Sequence, residues 1–165
     1  LEKMIISLPS DRKRVTAEDI EQHIGISRQF NNYELCNAIM DKRVEQALHI
    51  AQYMGENPKA YPLLLSVKAV YESFRQLFTY NYIAWESRKS GRPMPNDMEL
   101  CKELHLNSPY FLNDIRRRAA AWPNQKVFTI LQLSAEYDAK SKGIDDGGAS
   151  SSELLRELIL KIFSL

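Results

Sequence analysis

Residues 63–85 constrain the fold most. Leu63, Val67, Val70, Phe74, Leu77, Asn81 and Trp85 follow one another in steps of four and three. That spacing keeps side chains on one side of a helix with 3.6 residues per turn. It predicts one long helix with a sustained buried face, opened by Pro62, whose fixed φ suits a first helical turn. Tyr71, Phe78, Tyr82 and Ile83 broaden the apolar sector, so this helix is expected to be covered on more than one side. Such a rod needs shorter helices around it, and the composition agrees. Six Gly and seven Pro among 165 residues are about 8%, against roughly 12% on average. No segment alternates apolar and polar residues up to a hairpin turn. The predicted class is all-α, with about eight helices over the whole chain.

Start and stop signals divide the rest. Thr16 and Asp19, with Val15 and Ile20 as a hydrophobic staple, predict a short helix stopped by Gly25. Asn31 and Glu34, stapled by Phe30 and Leu35, start a second, running to about Met40. Asp41 is expected to cap a third, with Val44, Ala47, Leu48, Ala51 and Met54 on one face and its end at residues 55–58. Residues 88–95 form the clearest loop. Asn96 and Glu99 cap a short helix bearing Met98, Cys101 and Leu104. Ser108 before Pro109 starts another, whose inner face is Phe111, Leu112, Ile115, Ala119 and Trp122; Pro123 forces a boundary. Asn124 opens a helix with Val127, Ile130, Leu131 and Ser134 inward, ending near Lys142 and Gly143. Ser150 and Glu153 form a capping box for the last helix, striped by Leu154, Leu155, Leu158, Ile159, Ile162 and Phe163. At the other end, residues 1–8 have helical spacing but neither an N-cap nor an initiator Met, as expected of a chain cut inside a helix.

The chemistry is sparse. No glycine-rich phosphate loop and no GxSxG elbow occurs, and His23, His49 and His105 are isolated from one another. Cys36 and Cys101 fall on predicted apolar faces, which favours packing over nucleophilic work. No catalytic, cofactor-binding or metal residue is expected. With 22 basic and 21 acidic side chains the net charge is +1, which removes the broad basic field of a dedicated DNA-binding domain. Two basic clusters remain. One is residues 11–14; the other is Arg116, Arg117 and Arg118, read as lying on the outer face of their helix. Either contacts phosphate, or forms a solvated face or salt bridges to a neighbouring subunit. No apolar run reaches the ~18 residues of a spanning helix and no signal peptide is visible, so no membrane partner is expected.

Residues 24–54 (IGISRQFNNYELCNAIMDKRVEQALHIAQYM) and 57–78 (NPKAYPLLLSVKAVYESFRQLF) resemble the delta-subunit family of the bacterial DNA polymerase III clamp loader. So do residues 106–143, ending in Asp-x-Lys-Ser-Lys-Gly, and the leucine-rich 153–163. The resemblance implies that residues 1–27 are the tail of an AAA+-like lid domain. Residues 28–165 would then be a helical collar of about six to seven helices that joins the other loader subunits in a ring. It implies a cytoplasmic replication protein without its own ATPase site, belonging to a DNA-directed DNA polymerase (nucleotidyltransferase) holoenzyme. The sliding clamp would be met only through a part upstream of this chain, and DNA only indirectly, in the full assembly. Tyr71, Phe78 and Tyr82 are candidates for an inter-subunit face, or are internal. The alternative is a helix-turn-helix DNA-binding module, with residues 16–26 as its first helix and the helix from Asn31 as its reader. Tyr33, Glu34, Leu35 and Asn37 would make a poor base-reading surface.

Overall fold

The computed structural model describes residues 30–165. The expectations for the lid tail at 1–27, the helix after Thr16, the basic cluster at 11–14 and His23 lie outside the described residues. Within them the chain is all-helical, in seven α-helices and one 3-10 turn: α1 Asn32–Met40, α2 Val44–Glu56, α3 Leu63–Ser90, α4 Asp97–Glu103, the turn Pro109–Phe111, α5 Leu112–Ala121, α6 Asn124–Lys140 and α7 Ser151–Phe163.

α3 is the axis. It packs along α6 and against α1, α5 and α7, while α2 lies between α1 and α7. Leu63, Val67, Val70, Phe74 and Leu77 are buried as their spacing predicts. The buried face stops there, short of the expected Trp85. At 28 residues, α3 is about 42 Å long at 1.5 Å per residue, and the 17-residue α6 reaches only about 25 Å. The end of α3 therefore outruns its neighbours. Asn81 turns its amide to the Trp122 carbonyl at 3.0 Å, and Trp85 is 49% exposed.

The predicted caps at Asn31, Asn96, Ser108 and Ser150 all form. Asn96 and Ser150 make full capping boxes, so each helix start loses an orphan donor at both N-cap and N3. Asp41 is different. It ends α1 instead of starting α2, and α2 begins without a side-chain cap, because the Asp41 carboxylate is held by arginines. The loop expected at 88–95 is shorter too: α3 continues to Ser90 and stops at Gly91, at φ +69°.

Two close approaches fix the packing. A Cβ on Gly55 would lie 2.1 Å from Ser152 Oγ and 3.0 Å from its Cα, so α2 meets the start of α7 where only a glycine fits. Trp122, 2% exposed, donates its indole N–H to the Met40 carbonyl at 2.8 Å and sets its ring edge-on to Phe74. One side chain thus joins the α5–α6 corner to the end of α1 and the middle of α3.

Candidate interaction surface

The outer side of α3 carries a second apolar row. Leu64, Tyr71, Phe78 and Trp85 recur every seven residues, with Tyr82 and Lys89 interleaved. A seven-residue repeat drifts only about 20° per repeat on a straight helix, so these side chains form one continuous seam. Tyr71 is 38% and Tyr82 48% exposed, whereas Phe78 is half-buried and meets Phe128 of α6, 6.4 Å between centroids. Of the three residues anticipated for a second face, two open to solvent and one forms the seam's floor. The sequence reading missed Trp85 and Phe128; Phe128 is 52% exposed. The Tyr82 and Trp85 rings lie 5.9 Å apart, and Lys89 Nζ sits 4.7 Å over the Trp85 ring, which holds the indole in place through its negative π-face. Aromatic side chains gathered in this way are typical of protein interfaces.

The arginine run behaves otherwise. Arg118 points inward and is 9% exposed, which corrects its placement on an outer face. Its Nε and Nη2 donate to the two Asp41 oxygens at 2.8 and 3.1 Å, and Nη2 donates to Asn37 Oδ1 at 2.9 Å. Ile115 and Arg118 are one step of three apart, so both fall on the buried side of α5. The Arg118 guanidinium beside it holds the Asp41 carboxyl below its ordinary range, helped by Arg117 and Arg43. Arg117 also meets Asp114 at 3.0 Å, and Arg116 meets Asp97 at 2.5 Å. Every arginine of the run is paired inside the domain.

The cysteines and histidines are the remaining candidates for chemistry. Cys36 and Cys101 are buried, and burial pushes the Cys36 thiol up to about 11, far from a reactive thiolate. His49 stands edge-on to Phe30, and His105 follows α4 at φ +53°. No group of His, Cys, Asp or Glu among the described residues is arranged to hold a metal ion, and none of their helices is long and apolar enough to cross a membrane. α1, the reader of the alternative DNA-binding arrangement, buries Leu35, Cys36, Ala38, Ile39 and Met40 and spends Asn37 on Arg118.

A long central helix is wrapped by shorter ones, with no strand among the described residues. A particular solved structure with this fold is the Bacillus subtilis DNA clamp loader delta protein (YqeN). The likeness has a TM-score of 0.63 at 17% identity and covers 94% of this chain and 42% of that one. The chain thus spans less than half of that protein's length, and the likeness is one of fold. No family description matches the sequence, and no curated protein matches it.

Proposed function

We propose that this chain is the collar portion of a clamp-loader delta subunit, a non-catalytic assembly domain. In this reading residues 28–165 join the collars of the other loader subunits, and residues 1–27 belong to the AAA+-like lid before them. The loader places a sliding clamp on primed DNA in the cytoplasm. This part holds the assembly together, while clamp contact lies upstream of residue 1 and DNA is met only in the full assembly. The fold likeness to a delta protein carries the proposal. The α3 seam supports it, because its seven-residue repeat suits a helix crossing at about +20°.

The test is co-sedimentation of the chain with the other loader subunits of the same organism. The expected outcome is a joint boundary that is lost when Tyr82 and Trp85 are both replaced by Ser, with an unchanged melting midpoint. Independent sedimentation of the unaltered chain at every concentration would refute the assignment.

A further inference from the structure

The turn after α1 and the last turn of α5 gather more positive charge than they neutralise. Asp41 is one carboxylate shared by three guanidiniums. Arg118 Nε and Arg117 reach its Oδ1 at 2.8 and 3.2 Å, and Arg118 Nη2 and Arg43 reach its Oδ2 at 3.1 and 3.3 Å. Asp114 pairs with Arg117 at 3.0 Å. Lys42, next to Asp41 in sequence, has no ion pair among the described residues, and its Nζ rests over the Trp122 ring. Four cations thus stand against two carboxylates, an excess of two positive charges. These side chains border a pocket of about 170 Å³, lined by Met40, Asp41, Lys42, Arg117, Arg118 and Ala121. Arg118 supplies a second observation. It is 9% exposed, and its Nη1 meets the Met40 thioether alone, at 4.0 Å. Sulfur is a weak acceptor, so this buried guanidinium keeps N–H donors without an oxygen, a state that costs free energy until an acceptor arrives.

We propose that this pocket binds a doubly charged phosphoryl group, as inorganic phosphate or a phosphomonoester, held by Lys42, Arg117 and Arg118. The charge decides the class. A phosphoryl dianion cancels the excess, whereas a carboxylate or a phosphodiester, with one charge, cancels half of it. Arginine forks match phosphate oxygens in pairs, and a lysine adds a compact point charge. Asp41 holds the Arg118 guanidinium in place, and its own charge is more than met by three arginines. The pocket takes no residue from the α3 seam, so the proposal stands apart from the collar reading.

The test is isothermal titration calorimetry of the full chain with inorganic phosphate, at an ionic strength held constant with chloride. Fluorescence-anisotropy titrations of 5′-phosphorylated oligothymidine and of its unphosphorylated form accompany it. Phosphate is expected to bind at a single site. Lys42→Met and Arg117→Met should each weaken it about tenfold, the worth of one charge-assisted hydrogen bond. Both variants should keep a cooperative melt, since both side chains are exposed. Arg116→Met, which removes a partner of Asp97 outside the pocket, should bind phosphate as the unaltered chain does. Tighter binding of the 5′-phosphorylated strand than of phosphate would name a strand end as the source, and the reverse order a free ion. Three results would overturn the proposal: no heat beyond that of chloride, phosphate binding indifferent to both pocket variants, or binding weakened equally by Arg116→Met. Equal binding of the two oligonucleotides, lost in both pocket variants, would overturn it in favour of a backbone phosphodiester.

Discussion

Lys42, His105 and Asp145 take up a left-handed backbone conformation that side chains disfavour, and the first two, each closing a helix, differ in compensation. Lys42 ends α1 at φ +57° and His105 ends α4 at φ +53°. Lys42 Nζ lies 4.8 Å over the Trp122 ring, and His105 has no such contact. His105→Gly should therefore raise unfolding free energy by about 0.5–1 kcal/mol, the relieved strain less the entropy of a freer unfolded chain. Lys42→Gly should gain less, since it also forfeits a cation–π contact of about 0.5–1 kcal/mol. Urea titrations of the two variants check the ordering. Asp41 sets the acid limit. A carboxyl held below its unfolded value of about 3.9 adds stability above that value, and loses it as pH falls through the folded one. Asp41→Asn should destabilise at neutral pH, and the gap to the unaltered chain should close below about pH 4 in pH-dependent denaturation. Arg118→Met strands Asp41 with only Arg43 and Arg117, and is expected to cost about 3 kcal/mol, the low end for a broken buried pair. The sequence could not show this pair, because an Arg-Arg-Arg run reads as surface until a carboxylate from a distant turn is placed beside it.

Helix starts were legible and helix ends less so. Cap residues act within four positions of their own helix, so Asn31, Asn96, Ser108 and Ser150 could be read directly. The ends at Met40 and Glu103 are closed by Lys42 and His105, residue types that give no stop signal. Tyr137 is a different omission: Val127, Ile130, Ser134 and Tyr137 keep steps of three and four, so the pattern was present, and only the acidic and basic residues around Tyr137 disguised a fully buried ring. Gly55 was read as a terminator, but α2 runs past it to Glu56, and its purpose lies in contact with α7. Alanine ordinarily strengthens a helix by about 1 kcal/mol over glycine. Gly55→Ala should do the reverse and lower stability by about 1–3 kcal/mol, because the added methyl forces α2 from α7. Pairing it with Ser152→Gly should restore much of the loss. Thermal melts of the single and double variants decide this.

At the scale of the molecule, most of the architecture could be read and the use of its surface only in part. A long periodic helix and few breakers imply a helical bundle around one axis, as found. How far the core extends along that axis depends on neighbour length, which periodicity does not encode, and so Trp85 was expected inside. The last helix buries Leu154, Leu155, Leu158, Ile159 and Ile162. At about 1.5–3 kcal/mol for each buried side chain, its removal forfeits a gross burial energy comparable to the whole stability of an ordinary domain, about 5–15 kcal/mol. A chain ending at residue 149 should aggregate or melt without a cooperative transition by calorimetry, and an unchanged midpoint would make α7 a docking peptide instead.

The placement of α7 against α2 also governs how the chain comes into being. A ribosome delivers α2 with Ala47, Ile50, Ala51 and Met54 ready for burial, yet of the two helices that flank it only α1 is made before it, and α7 follows about a hundred residues later. The Met40 carbonyl likewise waits for Trp122. During translation nearly the whole domain must emerge before its second helix is shielded, and transiently bare apolar surface of this kind is where nascent chains associate wrongly. α1 and α2 are therefore natural clients for chaperones during synthesis, and the emergence of α7 is the event that closes the domain.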